Sequence, residues 1–305
     1  MRILVVGAGA TGGYFGGRLM QAGRDVTFLV RPARAHRLQE RGLRITGLGE
    51  NTVLTPELVQ AGEITGPFDL VLLTVKAAGL ERSMDDLAPA VGPETLILPV
   101  LNGIRHLDTL AGRFGERAVL GGLAFLATTL NADGDIVRLT DMQSLTYGSL
   151  GAPVPRLGEV DRALSGAGFP TTLSDDITGD LWAKWVFIAS TAAVTCLMRG
   201  TIGDVVAVPG GTAFAQAIVA EAAAVAVAAG FPVPEKKLEN VVATVTAEGS
   251  PTTASMYRDL VTGLGVEVEQ IFGDLVTRAA SLGVAVPLLD VVTLHLRVYQ
   301  RRLAG

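Results

Sequence analysis

Three glycines near the N-terminus have a spacing that suits phosphate binding. Gly7, Gly9 and Gly12 form a G-x-G-x-x-G motif directly after a short apolar run. The first glycine of such a motif permits a tight turn, the second lets the backbone approach a pyrophosphate, and the third lets helix and strand pack closely. The N–H groups that open the next helix then point at the phosphates. The motif predicts a dinucleotide site, against the alternative of a turn that binds nothing, and its residues are Gly7, Gly9, Ala10, Thr11 and Gly12.

The end of the second predicted strand indicates which dinucleotide would bind. Proteins that bind NAD carry Asp or Glu there to hold the ribose 2′-hydroxyl. This chain has Arg31 at that place, followed by Arg34. A guanidinium forks onto a phosphate, and its charge favours one. Arg31 therefore predicts NADP(H) as the cofactor, and the alternative is that both arginines are ordinary solvated charges.

A parallel sheet is needed to position these residues, and the apolar pattern predicts one. A strand, a helix over residues 11–22 and a second strand make a βαβ unit. Later runs are continuously apolar, as in parallel strands buried on both faces. Asp133-Gly134 is a hairpin signal between the last two long runs. The predicted strands, in chain order, are 3–6, 26–30, 70–75, 95–100, 118–130, 135–149 and a last one over 169–173.

The second part of the chain has a different pattern, with helical periodicity only from Asp176 onward. An α/β part followed by an all-α part implies two domains. The fold class is thus a Rossmann-type parallel sheet domain with an antiparallel extension, followed by an all-α domain. We expect an NADP-binding domain over residues 1–175 and a helical substrate or catalytic domain over 176–305. The predicted helices are 176–198, 211–229, 234–247, 253–264, 266–282 and 287–303.

Composition narrows the classes of function. Hydrophobic residues make up 49% and charged residues 18%, which excludes a disordered chain. The formal net charge of −5 gives no basic face for nucleic acid, and we expect no such partner. No apolar run reaches about 18 uninterrupted residues, so we expect no membrane span. The three histidines lack metal-ligand spacing, and no metal is predicted.

The single cysteine bears on compartment and on chemistry. Cys196 is alone and forms no internal disulfide, which favours a reducing cytoplasm. It lies in the apolar run Val-Thr-Cys-Leu-Met, where a buried inert thiol is favoured over a nucleophile.

Several motifs together resemble the ketopantoate reductase (2-dehydropantoate 2-reductase) family, in the order that the family has them. In the first part these are the glycine loop, Arg31, Thr74-Val-Lys76-Ala and Leu101-Asn102-Gly103. In the second part they are Leu181-Trp-Ala-Lys184, Ser255-Met256 and the helix of Glu267. Motifs spread over nearly the whole chain make the resemblance more specific than a Rossmann start alone.

The resemblance implies a role for each matching residue. Lys184 matches the catalytic lysine that protonates the oxygen of a 2-oxo group, and Glu267 a glutamate that orders the site and bonds a substrate hydroxyl. Ser255 matches a serine that binds the end of the substrate. Asn102 matches an asparagine near nicotinamide and substrate, and Lys76 a lysine beside the 2′-phosphate. We expect the site between the two domains, at the carboxyl ends of the parallel strands.

The roles that the resemblance implies are consistent with the chemistry of carbonyl reduction, and each residue has an alternative, non-catalytic interpretation. A hydride that arrives at a ketone creates an alkoxide, which an ammonium can stabilise and protonate. Burial would lower the pKa of Lys184 and a carboxylate would raise it again. Alternatively, Lys184 is a surface lysine, Glu269 replaces Glu267, or Ser255 is a helix-surface residue. His106 either lines the site or only packs.

The chain departs from the family at positions that affect the substrate. Ile188 and Ala192 stand four and eight residues after Lys184, where the family commonly has asparagines. The implied function is NADPH-dependent reduction of a small 2-oxo acid to a 2-hydroxy acid. This is 2-dehydropantoate to pantoate, in pantothenate biosynthesis, or a related 2-oxo acid. The alternative is a non-catalytic NADP-binding sensor, and a homodimer is left open.

Overall fold

The computed structural model describes residues 1–304, which contain ten strands and twelve α-helices. The strands are β1 (Arg2–Val6), β2 (Asp25–Leu29), β3 (Leu43–Gly47), β4 (Glu50–Leu54), β5 (Glu57–Val59), β6 (Leu70–Leu73), β7 (Leu96–Pro99), β8 (Leu120–Leu130), β9 (Ile136–Ser149) and β10 (Thr171–Leu173). The helices are α1 (Ala10–Gln21), α2 (Pro32–Arg41), α3 (Leu80–Leu87), α4 (Arg105–Phe114), α5 (Leu157–Leu164), α6 (Ile177–Met198), α7 (Ile202–Val206), α8 (Gly211–Ala228), α9 (Glu235–Val245), α10 (Ser255–Val261), α11 (Asp274–Ser281) and α12 (Pro287–Ala304).

The first sheet is parallel, as the continuous apolar runs predict. Its strand order is β5-β2-β1-β6-β7, and all four neighbouring pairs are parallel. The chain first moves outward from β1 to β2 and then returns to the other side of β1 at β6. Open α/β sheets bind ligands at such a switch point, beyond the carboxyl ends of the strands.

Both faces of this sheet are buried, which explains why its strands lack apolar–polar alternation. Successive side chains of a strand point to opposite faces. Ile3 and Val5 of β1 belong to one core cluster, and Leu4 and Val6 belong to another. Helix α1 covers the first face, and helices α3 and α4 contribute side chains to the second.

A second, mixed sheet continues from the edge of the first. Its order is β10-β9-β3-β4, and β8 pairs antiparallel with β9. A single parallel bridge between Ile97 and Val119 joins the parallel sheet to the start of β8. The predicted hairpin forms at Asp133-Gly134, where Gly134 has a φ of +80°. The Rossmann-type sheet with an antiparallel extension is therefore the observed fold.

Some elements were not predicted from the sequence. Helix α2 buries only Ala35 and Leu38 and is otherwise strongly polar, so few apolar residues mark its buried face. Strands β3 and β4 are short and lie partly exposed. The helix predicted over 266–282 is observed as a π-helical turn, Glu269–Gly273, followed by α11.

Contacts divide the chain into two compact units. The first contains Met1–Leu101 and His106–Ile177 and holds both sheets. The second contains Asn102–Arg105 and the chain from Thr178 onward, and its regular structure is helical. The short Asn102–Arg105 segment thus joins the helical unit, although it follows β7 along the chain.

Two helices of the second part are long and apolar enough to cross a membrane by length and composition alone: α6 and α8. The core helix of a soluble protein passes the same test. Helix α6 is of this kind, because large side chains on different faces of it, such as Trp182, Trp185 and Val194, are buried.

A charge network links helix α1 to the second sheet. The Arg18 guanidinium donates to both carboxylate oxygens of Glu50 in β4, at 2.8 and 2.6 Å. Arg138 of β9 donates to the same carboxylate at 3.2 Å, and Thr52 donates at 2.9 Å. Burial raises the pKa of Glu50, but the hydrogen bonds outweigh it and the pKa is lowered. Glu50 therefore anchors the helix whose first turn carries the glycine motif.

We expect Glu50→Gln to lower the free energy of unfolding by about 2 kcal/mol at pH 7, because it leaves Arg18 and Arg138 without their shared charge. Urea unfolding measures this effect. Since the folded-state pKa is depressed, the stabilisation is lost as the pH falls below the ordinary value of 4.5. Wild type and variant should therefore converge in acid. Glu57→Gln, at an exposed site, is the control, and an equal loss in both variants would contradict the role of the network.

Candidate functional site

The glycine loop lies between the ends of β1 and β6. The Thr74 hydroxyl, just after β6, donates to the carbonyl oxygens of Val6 and Gly7 at 2.8 and 3.0 Å. Gly7 has a φ of +95°, a conformation that favours glycine. A Cβ atom at Gly12 would lie 2.1 Å from the Gly7 oxygen. The backbone conformation therefore favours glycine at position 7, and the packing requires it at position 12.

Gly9 differs from both, since its own fold does not demand glycine. Its φ of −80° suits any residue, and no described atom lies within 4 Å of the place where a Cβ would stand. Gly9 instead borders a cavity of about 470 Å³, a size typical of sites for small ligands. The missing side chain keeps backbone N–H groups accessible at the start of α1. Such a surface fits a phosphate that approaches the helix N-terminus.

The two arginines after β2 have different surroundings. Arg34 donates to the carbonyl oxygens of Ala8 and Gly134, at 2.9 and 2.8 Å, and so ties the glycine loop to the β8–β9 turn. Arg31 is exposed and lines the cavity. Its Nη2 lies 3.8 Å from the point where a Cβ of Gly79 would stand, so the missing side chain leaves room beside the guanidinium. Arg31 thus presents a charge to the cavity, while Arg34 is used by the fold.

Other cavity-lining groups come from α3. Arg82 and Ser83 line the cavity from this helix, together with Asp86. Arg82 and Asp86 form an ion pair of 3.9 Å, and the Arg82 side chain is largely exposed. Lys76 follows β6 with an exposed side chain, immediately before a turn of 3-10 helix. Cationic side chains therefore surround this end of the sheet.

Lys184 is the most unusual titratable group of the second unit. It lies in the apolar helix α6 and is only 8% exposed. Trp182 and Trp185, whose ring centroids are 5.0 Å apart, flank it in the sequence. Burial lowers the pKa of the ammonium, attraction to the Glu267 carboxylate raises it, and the result is about 8. The amine can therefore hold or release a proton near neutral pH.

Glu267 precedes the π-helical turn, and that turn is attached to helix α6. The indole N–H of Trp185 donates to the Ile271 carbonyl at 2.9 Å. The Ile271 N–H in turn donates to the Glu267 carbonyl at 3.1 Å. Single π-turns inside helices are frequent at functional sites. The residue next to Lys184 thus holds the segment that carries its carboxylate partner.

Glu269, the alternative carboxylate for Lys184, pairs with an arginine instead. Its carboxylate accepts two hydrogen bonds of 2.7 Å from Arg297 of α12. These bonds lower the pKa of Glu269, with a smaller effect from Arg105. The attraction that raises the pKa of Lys184 comes from Glu267.

Asn102 belongs to the same compact unit as Lys184 and Glu267. Its backbone carbonyl accepts a hydrogen bond from the side chain of Gln270, a residue that the sequence did not single out. The available signal was the spacing, because Gln270 stands three residues after Glu267 and such residues share a helix face.

The remaining predicted residues are placed as follows. Ser255 opens α10 with an exposed side chain, and His106 is fully buried in the first unit. Cys196 is fully buried, and burial raises its pKa to about 12. A thiol of that kind is an inert core side chain, as the sequence predicts.

Comparison with known proteins agrees with this fold. The chain matches the family described as ketopantoate reductase PanE/ApbA over residues 3–152, and its C-terminal part over residues 176–300. A Bacillus subtilis (strain 168) protein named uncharacterized oxidoreductase YkpB is 36% identical, over 98% of this chain and 99% of its own.

Solved structures show the same fold. The 2-dehydropantoate 2-reductase of Methylococcus capsulatus superposes with a TM-score of 0.87 at 29% identity, covering 100% of this chain and 98% of its own. A ternary complex of D-mandelate dehydrogenase with NADH and anilino(oxo)acetate superposes with a TM-score of 0.89 at 23% identity, covering 100% of both chains. A Rossmann-type sheet with a glycine loop and a helical unit with a buried lysine define an oxidoreductase. The chain belongs to the ketopantoate reductase family.

The attraction between Lys184 and Glu267 is directly measurable, because the chain has four lysines and their ε-carbon NMR signals are few. We expect one lysine to titrate near pH 8 in wild type, and Lys184→Met to remove that signal. Glu267→Gln should move this pKa below about 8, because it removes the attraction that raises it. Glu269→Gln should leave it in place, since that carboxylate pairs with Arg297. An unchanged titration in Glu267→Gln would refute the pairing.

Proposed function

We propose that this chain reduces a small 2-oxo acid to the corresponding 2-hydroxy acid with NADPH. The substrate is 2-dehydropantoate, which would place the enzyme in pantothenate biosynthesis, or a related 2-oxo acid. Residues 1–175 hold the cofactor in this proposal, and residues 176–305 act on the substrate. The observation that carries the proposal is the buried Lys184 beside Glu267, with a pKa of about 8.

Lys184 is the catalytic acid in this proposal. A bound reduced nicotinamide supplies the hydride. As the carbonyl carbon of the substrate gains that hydride, its oxygen becomes an alkoxide. The Lys184 ammonium stabilises the negative charge and gives up one proton, which yields the hydroxyl group and a neutral amine. The amine then regains a proton from solvent. A pKa near 8 suits both steps, since the acid is protonated at neutral pH and still releases its proton readily.

Three further residues act on the substrate in this proposal. Glu267 is the second catalytic residue, because it keeps Lys184 protonated and accepts a hydrogen bond from the substrate hydroxyl. Asn102 binds both substrate and nicotinamide, and Ser255 binds the far end of the substrate. These roles follow the family resemblance, and the shared compact unit of Asn102, Lys184 and Glu267 supports them.

The first unit fits a dinucleotide phosphate. The open space beside Gly9 and the cavity that it borders accept a group which the fold itself does not supply. Gly7, Gly9, Ala10, Thr11 and Gly12 would hold the pyrophosphate. Arg31 and Lys76 would hold the 2′-phosphate, because both are exposed cations that follow β2 and β6, the two parallel strands on either side of β1.

A non-catalytic NADP-binding sensor of the same fold is the competing function. Such a sensor has no use for a buried ammonium, which costs stability unless a carboxylate compensates it. Retention of Lys184 together with Glu267 favours the enzyme. We also propose a cytoplasmic location, given the single buried Cys196, and sedimentation would show whether the chain forms a homodimer.

The substrate tail is proposed to be apolar. Ile188 and Ala192 follow Lys184 at intervals of four and therefore share its face of α6. Ile188 is half-buried and Ala192 is buried, and neither has a side chain that hydrogen-bonds a substrate hydroxyl. Burying such a hydroxyl without a partner costs about 1–3 kcal/mol. A branched apolar 2-oxo acid avoids that cost, unless Arg105, His106 or Ser255 supplies the contact to 2-dehydropantoate.

A panel of 2-oxo acids tests the proposed function, with NADPH oxidation followed by absorbance. We expect turnover by wild type, and a higher kcat/KM for branched apolar acids than for 2-dehydropantoate. The rate should fall as the pH rises through about 8, because Lys184 loses its proton. Lys184→Ala should lower kcat by about 10²–10⁴-fold with NADPH affinity retained. NADPH binding without turnover of any acid would favour the sensor, and a clear preference for 2-dehydropantoate would overturn the apolar tail.

Cofactor choice needs its own test, because a structural neighbour is described with NADH. We expect wild type to bind NADPH about ten- to a hundredfold more tightly than NADH, since a charge-assisted hydrogen bond contributes about 1.5–3 kcal/mol. Fluorescence titration measures both affinities. Arg31→Ala should remove most of the preference, and Arg117→Ala, at an exposed site that does not line the cavity, should keep it. Equal affinities in wild type would exclude Arg31 as the discriminating residue.

A further inference from the structure

Gln270 is a buried amide in the segment that carries Glu267. It is only 7% exposed and lies in the π-helical turn Glu269–Gly273. Its Nε2 donates a hydrogen bond of 2.9 Å to the backbone carbonyl of Asn102. A buried polar side chain is costly unless its hydrogen bonds are made, so this contact has to be maintained in the folded state. The bond joins the π turn to a loop far away in the sequence.

The same loop also packs tightly against the backbone of Gln270. Gly103 has a φ of +73°, which favours glycine, and a Cβ atom there would lie 2.5 Å from the Gln270 carbonyl oxygen. The turn after Asn102 is therefore held from two sides, by the side-chain amide and by a backbone contact that excludes any larger residue.

The π turn itself is held by helix α6. Trp185 donates to the carbonyl of Ile271, the residue after Gln270. Trp185 directly follows Lys184 in α6, and Gln270 stands three residues after Glu267. One short segment therefore makes three connections: to the lysine helix through Ile271, to the ammonium through Glu267, and to the Asn102 turn through Gln270.

We propose that Gln270 is a positioning residue for the reaction, which sets the side chain of Asn102 relative to Lys184 and Glu267. It does so by holding the Asn102 carbonyl. This inference rests on the proposed function, in which Asn102 contacts the substrate. A hydrocarbon side chain at position 270 leaves the carbonyl without this donor, and the turn then relaxes. Displacements of about 1 Å at a distance from the reacting atoms lower rates by up to about 10²-fold.

Gln270→Met tests the inference, because methionine keeps the length of the side chain and removes its donor. The matched control is Glu221→Met, which removes side-chain hydrogen bonds of 3.0 and 2.9 Å from the backbone N–H groups of Leu288 and Leu289 in the same unit. We expect Gln270→Met to lower kcat by roughly 10- to 100-fold, with NADPH affinity unchanged. Glu221→Met should also lower the thermal midpoint, as Gln270→Met does, but it should keep the kcat of wild type. Wild-type kcat in Gln270→Met would overturn the inference.

A double-mutant cycle separates positioning from a general loss of structure. Asn102→Ala removes the side chain and keeps the carbonyl, so Gln270→Met has nothing left to position in that background. We expect its effect on kcat to shrink to less than about twofold there, whereas independent effects multiply. Multiplying effects would overturn the inference.

The same cycle keeps the two proposals distinguishable. If Asn102→Ala has the activity of wild type, the substrate role of Asn102 fails, and the proposed function has to be revised. If Asn102→Ala is impaired and Gln270→Met is not, only the present inference fails. Gln270→Leu, which also lacks the donor, is measured in the same two backgrounds as Gln270→Met. Circular dichroism at the assay temperature gives the folded fraction of each variant, and turnover is corrected for it, so that poor folding is not mistaken for loss of positioning.

Discussion

The second unit depends on keeping one ammonium charged inside an apolar helix. An isolated buried charge costs several kcal/mol, and a lysine in such a place loses its proton unless an opposite charge is near. Lys184 meets this constraint through Glu267, which brings its pKa to about 8. The carboxylate has to stay close, and the surrounding structure holds it there. Trp185 attaches the π turn to α6, so the lysine and its partner move together.

Because of this constraint, α6 both supplies core packing and sets the environment of Lys184. A helix that is apolar on all sides is stable when it is buried, and α6 supplies much of the core of its unit. The same burial lowers the pKa of Lys184, so its ammonium releases a proton more readily. The apolar residues Ile188 and Ala192 on its face have the same origin. Stability of the helix and the proposed preference for an apolar substrate tail therefore come from one composition.

The first unit solves a different problem, namely how to leave room for a ligand beside a tightly packed turn. Gly7 and Gly12 satisfy the packing of the loop itself, against Thr74 and each other. Gly9 leaves space that no described atom of the chain fills. Arg34 holds the loop through the Ala8 carbonyl, while Glu50 holds α1 through Arg18. The chain's own contacts thus define the conformation of the loop, which would reduce the entropy lost when a ligand binds.

Sequence alone determined the class of fold and most of the local elements. Continuous apolar runs indicate strands buried on both faces, and the Asp133-Gly134 signal indicates a hairpin, because these properties are local and periodic. The glycine motif was recognisable for the same reason. Helix α2 was not predicted, since it buries only two side chains and contains few apolar residues.

Tertiary structure decided which groups meet. The family motif already favoured Glu267 over Glu269 as the partner of Lys184, but only the structure pairs Glu269 with Arg297 and assigns the attraction on Lys184 to Glu267. Arg31 was singled out by its place at the strand end, and only the structure shows that Arg34 is bound to the Ala8 and Gly134 carbonyls. Gln270 stayed unnoticed because its partner is a backbone carbonyl distant in the chain. Local patterns specify elements, whereas burial and the distances between remote segments set the charges and contacts of the site.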